Sequence, residues 1–448
     1  MKICEKLLQG GRVGFFGFGR SSLGILDYLS AKIPIMEVTV RSDGKPDKPI
    51  PKDARILIGE DADKDIDEDV LFISPSVRRD RRAIADAGRR GVLLSSDAEL
   101  FFEQCADPVL AITGSDGKSS CTYLAAAMLR EDGTNAVAAG NFGRSLCTTL
   151  DSSDTVVAEL SSFQLNFFTP KVSRALITNL TPNHLNWHKD FDEYAEAKLA
   201  LIRHSDAAVL DCDSPLLRER IKDYSPYFAV SSSLSYRELK SRVRAEGYMT
   251  LDSRFILLNG EKYIDISRAR RRENYNLKNY MLTAALTYGL CQRDAQEAVI
   301  NKFGGLPHRS ELVSEKDGIR YIDSSIDSTP ERTLNTLRAL EPDVAVILCG
   351  RGKGLSYEEL ACELPRLTRG ACIMGDITDE LTSIIRAKHP DYKLLFPTDT
   401  EEAVRNAVSL LPRGGTVILS PSATSFDRYK SFEERGDDFK RIVRSIKI

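Results

Sequence analysis

The chain has 448 residues, a formal net charge of −3 and 28% charged residues, a balance with no basic footprint for nucleic acid and one that points to small-molecule partners. At ~150 residues per domain this length suits about three domains, each able to bury its own core. Nine cysteines at irregular spacings read as reduced thiols, the N-terminus lacks a signal-peptide pattern, and no run of ~18 apolar residues is present, so the expected setting is the cytoplasm without membrane insertion.

Along the first hundred residues, apolar runs at 13–16, 38–40, 70–73 and 92–94 alternate with helical stretches, the pattern of buried parallel strands in βα units. The first run enters Gly17-Phe18-Gly19-Arg20-Ser21-Ser22, a G-x-G-x-x-S variant of a phosphate-binding turn that by itself also suits a nicotinamide-dependent oxidoreductase. Ser74-Pro75-Ser76 forms a second turn after the third run. These features predict a Rossmann-like domain over 1–96.

A buried run at 109–112 then enters Thr113-Gly114-Ser115-Asp116-Gly117-Lys118-Ser119-Ser120 and a helix over 121–129. Glycines let backbone amides turn inward around an anion, the helix N-terminus adds partial positive charge, Lys118 adds a full one, and Ser119 or Ser120 is placed to ligate Mg²⁺. Gly114 lies three residues before Gly117, tighter than a Walker A loop; a plain Gly/Ser turn capping a helix is the alternative. Strands are predicted at 155–158 and 175–178, and a helix over 191–202 with Asp190 as its cap and Lys198 one turn after Tyr194 on the same face. Residues 97–305 are thus expected to form a central, P-loop ATPase-like domain with a mostly parallel sheet.

Gly304-Gly305-Leu306-Pro307-His308-Arg309 is a turn-rich break, after which strands at 320–322, 344–348 and 416–419 predict a second Rossmann-like domain over 306–448. Phe426, Tyr429 and Phe432 recur at helical spacing, which allows an amphipathic helix with a buried aromatic stripe. The fold class is α/β in three domains.

The spacing G-x-x-G-K-[ST]-[ST] at 114–120 resembles the ATP loop of the Mur ligase and folylpolyglutamate synthetase superfamily, and the likeness extends along nearly the whole chain. It implies ATP binding by Gly114, Ser115, Asp116, Gly117, Lys118, Ser119 and Ser120, with Ser119 also on the metal. Glu159-Leu160-Ser161-Ser162-Phe163-Gln164 is similar to the E-x-S-S-F-Q segment of Mur ligases, implying Mg²⁺ binding by Glu159 and a substrate-side Ser161. The segment 179–184, which has Asn183 where aspartate is commoner, implies that His184 is a further metal ligand. The Y-x-x-A-K match at Tyr194 to Lys198 implies a carbamylated Lys198 bracing the second of two Mg²⁺ ions. Asn276 and Asn279, after Tyr275 in place of the usual histidine, are implied on the adenine or phosphates, and Arg309 on the phosphates. Asp323 is implied on ATP, shifted one residue from the family position, and Ile326 stands where many relatives carry lysine.

The stretch from Leu419 to Phe439 is similar to the S-P-A-x-[AS]-S segment and following R-G-x-x-F of the D-glutamate-adding branch. It implies an amino-acid site at Ser425, Phe426 and Phe432. Gly17, Phe18, Gly19, Ser21 and Ser74 then become the uridine-diphosphate loops, with Asn141 and Lys353 on the substrate side. The implied reaction is ATP-dependent addition of D-glutamate to UDP-N-acetylmuramoyl-L-alanine by a monomer, through an acyl phosphate, with Lys118, Glu159, His184, Lys198 and Arg309 as the catalytic set. A different superfamily ligase, an oxidoreductase using Gly17 and Gly19, and a nucleotide-sensing protein without turnover are the rival functions.

Overall fold

The computed structural model describes every residue except 1–2, 8–10, 47, 153, 185–186, 353–354, 413 and 447–448. The chain divides into two compact units, Met1–Phe303 and Gly304–Ile448.

The first unit contains two sheets. One is fully parallel, with spatial order Arg55–Ile58, Ile35–Ser42, Gly11–Phe16, Val70–Ile73, Leu93–Ser95. Its order reverses between Gly11–Phe16 and Val70–Ile73, so the loops leaving these two strands diverge and open a crevice at their carboxyl ends. The second sheet has nine strands, with Leu110–Thr113 flanked by Val172–Ile177 and Thr155–Glu159. It is parallel apart from two antiparallel pairings that join Gly247–Leu251, Phe255–Leu258 and Glu261–Asp265 at one edge. Here too the strands on either side of Leu110–Thr113 hold the functional loops at one end.

Residue 97, where the expected first boundary falls, opens the helix Asp97–Gln104. The Asp97 carboxylate is buried and accepts hydrogen bonds from Ser145 Oγ (3.0 Å), Cys147 N (3.2 Å) and Leu146 N (3.3 Å). Burial pushes its pKa up, and the three donors compensate the desolvated carboxylate. Nearby, a Cβ on Gly24 would lie 2.2 Å from Ser145 Oγ, so the helix Arg20–Ser30 approaches this turn as only glycine permits.

The second unit is built on a six-stranded sheet ordered Glu311–Lys316, Ile319–Asp323, Gly415–Ser422, Val344–Cys349, Gly370–Met374, Leu394–Leu395, antiparallel only at its first pairing. Val344, Val346 and Leu348 join one core, and Ala345, Ile347 and Cys349 the other. Both faces of this strand are covered, which is why it reads as a continuous apolar run and not as an alternating one. Among the described residues, no helix is long and apolar enough to cross a membrane.

The helix that the aromatic spacing allows across 426–432 does not form. Residues 425–431 form a turn, and the helix starts only at Phe432, running to Ser445 with Ser431 as its cap. Phe426 is 60% exposed, so the helical aromatic stripe does not exist. Tyr429 instead bonds Thr400 and Asp438 through its hydroxyl (2.8 Å each).

Candidate active site

In the first sheet, Gly17 has φ +80°, and a Cβ there would lie 2.7 Å from that of Ser74. Lacking a side chain, it lets the two loops at the switch point touch. Around Gly19 nothing lies within 4 Å of a notional Cβ, leaving open space before the N-terminus of Arg20–Ser30. One reading needs correction here. The Phe18 ring is buried edge-on against Phe15 at 5.5 Å, so it is core and offers a ligand only its backbone. Arg41 is fully buried on Glu68 and on the carbonyls of Ala62, Lys64 and Asp65.

The turn after Leu110–Thr113 is shaped by Gly114 (φ +143°) and Gly117 (φ +78°). Asn179 Oδ1, from the neighbouring strand end, accepts from Ser115 N (3.0 Å) and Asp116 N (2.9 Å). Ser115 Oγ bonds the Thr181 carbonyl (2.9 Å) and the Tyr194 hydroxyl (2.7 Å). The helix Lys118–Glu131 has no side-chain cap, so the amides of its first turn are the ones turned toward an anion. Lys118 Nζ lies over the loop on the carbonyls of Gly114 (3.0 Å) and Ser115 (2.7 Å).

Three further groups surround this loop. Glu159, at the end of Thr155–Glu159, is buried; its Oε1 accepts from Asn141 Nδ2 (2.6 Å) and its Oε2 has no hydrogen-bond partner among the described residues. A buried carboxylate oxygen without a donor is costly unless a cation meets it, and this is the observation that makes Glu159 fit a hard divalent ion. Lys198 is buried beneath the loop, donating to Gly114 O (2.8 Å) and Thr113 Oγ1 (3.4 Å), with its Nζ 4.6 Å from the Tyr194 ring centre. Burial, reinforced by the charge of Lys118, holds its pKa well below the usual lysine value. His184 adopts φ +55° and stacks edge-on with Phe163 at 4.9 Å. Partial burial and the charges of Lys118 and Lys198 lower its pKa, which favours the neutral imidazole a metal requires. Ser161 is committed elsewhere: its hydroxyl caps the short helix Ser162–Leu165 in a reciprocal arrangement with Gln164. Ser119 and Ser120 lie half-buried in the first turn of their helix.

Asn276 and Asn279 are buried on the helix Asn274–Thr287. Neither caps it, since Glu273 holds that position; Asn276 Nδ2 donates to Glu273 (2.9 Å), and a Cβ on Gly117 would lie 2.7 Å from Asn279 Oδ1. Lys278, between them, bridges Asp211 and Asp213 at 3.2 Å each.

In the second unit, Asp323 does not offer its carboxylate to a ligand. It is fully buried, with Oδ2 on His308 Nδ1 (2.8 Å) and Oδ1 accepting from Ser325 N (2.9 Å). Its contribution is to fix His308, which has φ +59°, and so the exposed Arg309 beside it. A Cβ on Gly436 would lie 2.1 Å from His308 Nδ1, which explains the glycine of the R-G pair. His308, Glu311 and Asp323 form a tight cluster, yet Lys440 (3.2 Å) and the His308 amide (3.0 Å) already occupy Glu311, so it is charge-satisfied without a metal. Arg435, to which the sequence reading gave no role, is buried; it donates to Ser325 Oγ and O, Cys349 O and Ala423 O (2.9–3.4 Å). It gathers three strand ends, at Ser325, Cys349 and Ala423; Ser425 is 3% exposed. Lys353 lies outside the described residues.

Residues 112–287 match the Mur ligase middle domain. The UDP-N-acetylmuramoylalanine--D-glutamate ligase of Acetivibrio thermocellus is 34% identical over 84% of this chain and 83% of its own length. The chain belongs to the Mur ligase family. The corresponding ligase of Clostridium perfringens is 29% identical over 99% of this chain and 98% of its own. A solved UDP-N-acetylmuramate-alanine ligase from Thermotoga maritima shares the fold, with a TM-score of 0.56 at 17% identity over 98% of this chain and 100% of that one. Within this Mur ligase, the sequence reading missed Asn179, Arg435 and Asp97. Asn179 opens the N-x-x-x-D-H segment and Arg435 the R-G pair, so both were visible as motif members; the buried contacts that give them roles were not.

Proposed function

We propose that this Mur ligase adds D-glutamate to UDP-N-acetylmuramoyl-L-alanine in cytoplasmic peptidoglycan precursor synthesis, consuming ATP and acting as a monomer of three domains, 1–96, 97–305 and 306–448. The observation that carries the ATP-dependent chemistry is the glycine turn at 114–118, with Lys118 over it and a buried, half-unpartnered Glu159 beside it. The choice of D-glutamate rests on the two ligases of that name and on the Ser425 to Phe439 segment.

The first-turn amides and Lys118 bind the ATP phosphates, and Arg309 adds positive charge as the γ-phosphoryl group moves. Two Mg²⁺ ions supply charge neutralisation when bound, held by Ser119, Glu159, His184 and a carbamylated Lys198. The neutral Lys198 amine attacks CO₂, forming an N–C bond and releasing one proton, which converts a buried amine into a carboxylate. Asn276 and Asn279 contact the adenine or the phosphates. Gly17, Gly19, Ser21, Ser74 and Asn141 line the sugar-nucleotide side, and Ser425, Phe426 and Phe432 the amino acid. The carboxylate of the L-alanyl group takes the γ-phosphoryl group; the D-glutamate amine then displaces phosphate and the amide bond forms.

This sequence of bonds has a signature. With ¹⁸O in both oxygens of the alanyl carboxylate, mass spectrometry of released phosphate should find one ¹⁸O per phosphate. Unlabelled phosphate would show that ATP hydrolysis does not pass through the substrate carboxylate.

A further inference from the structure

The first sheet and the metal glutamate are joined through one side chain. Arg20, at the end of the Gly17–Gly19 turn, donates Nη1 to Gly143 O (2.9 Å) and Nη2 to Gly140 O (3.0 Å) and Asn141 O (2.9 Å). Three carbonyls on one guanidinium form a cation cradle that fixes the turn at 140–143, and a planar fork of donors suits it better than an ammonium. The turn is packed tightly enough to require glycine at both ends: a Cβ on Gly140 (φ +99°) would lie 2.3 Å from Glu159 O, and one on Gly143 (φ +82°) 2.2 Å from Ala138 O. Asn141, at its centre, binds Glu159 twice, by N to the Glu159 carbonyl (2.9 Å) and by Nδ2 to Oε1 (2.6 Å). The carboxylate is therefore oriented by a turn that is itself held from the sugar-nucleotide loop.

We propose that Arg20 is a positioning residue for Glu159, acting through the 140–143 turn and Asn141, so that the sugar-nucleotide loop and the metal carboxylate share one alignment. This rests on the ligase reading for the role of Glu159. Outer partners of metal ligands typically contribute about 10–100-fold to metal affinity or activity.

The test compares wild type, Arg20→Ala, Arg20→Lys and Lys32→Ala. Lys32 pairs with Asp151 (2.6 Å), a second, exposed bridge from the Arg20–Ser30 helix region to the turn that precedes the strand Thr155–Glu159. Mn²⁺ binding in the presence of ADP is read by electron paramagnetic resonance, beside melting temperature and steady-state kinetics. Arg20→Ala should weaken Mn²⁺ binding by about 10-fold and lower kcat by a similar factor, changing the sugar-nucleotide KM less. Arg20→Lys should recover part of both, and Lys32→Ala should match wild type. Wild-type Mn²⁺ affinity in Arg20→Ala, an equal loss in Lys32→Ala, or a loss confined to the sugar-nucleotide KM would each overturn the proposal. Should Arg20→Ala not fold, the Arg20→Lys binding constant decides, wild-type affinity and kcat counting against the role. A wild type without D-glutamate-dependent turnover would sink the ligase reading, while the Mn²⁺ measurement would still decide on Arg20.

Discussion

Lys198→Met is expected to lower ligase turnover by roughly 10²–10³-fold while making the protein more stable. The Nζ atom is buried on Gly114 O and Thr113 Oγ1, and burial and Lys118 oppose its charged form. Its folded pKa lies below its unfolded one, so between the two values the unfolded chain binds the extra proton and stability rises with pH. The cost of burying this lysine therefore grows as pH falls from the ordinary lysine value toward the depressed folded one, and is full below that. Methionine fills similar volume without the linkage. In CO₂-free buffer, the melting-temperature advantage of Lys198→Met should widen as pH falls through that window; an advantage independent of pH would mean that Lys198 is buried in its charged form. With ¹³C-bicarbonate, a carbamate signal should appear in wild type and be missing from the variant.

Glu159→Gln should act in the same double sense. Its Oε1 acceptor, and with it the bond from Asn141, is retained, but the charge facing a cation is removed, and turnover should fall by roughly 10²–10³-fold. Oε2, buried without a hydrogen-bond partner among the described residues, is carried by the apo protein at a cost, so the melting temperature without ligand should rise. Mg²⁺ with ADP should then stabilise the variant less than wild type, since a ligand stabilises in proportion to its affinity for the folded state. An equal ligand-induced shift in both proteins would remove Glu159 from the metal site.

The framework of the fold was legible because buried parallel strands leave dense apolar runs, as at Val70–Ile73 and Val344–Cys349, whose neighbours cover both faces. The exposed edge strand Arg55–Ile58 left no such mark, because little of its surface enters a core. At the site, glycine spacing announced the phosphate turn, and the family likeness supplied Glu159, His184 and Lys198. What stayed hidden are long-range contacts. Asn179 on Ser115, Asp97 on Ser145 and Arg20 on Gly143 join residues 48 to 123 positions apart, and no local periodicity encodes them. Phe18 and Asp323 fail for a related reason: a motif gives a residue's place in the chain, while burial decides whether its side chain turns toward the ligand or into the core.

The most direct measurement is phosphate release with UDP-N-acetylmuramoyl-L-alanine, ATP and Mg²⁺, comparing D-glutamate with L-glutamate, L-lysine and meso-diaminopimelate as acceptors. Release stimulated by D-glutamate alone is the expected result. Stimulation by another acceptor, or by none, would contradict the assignment of Ser425, Phe426 and Phe432 to a D-glutamate site.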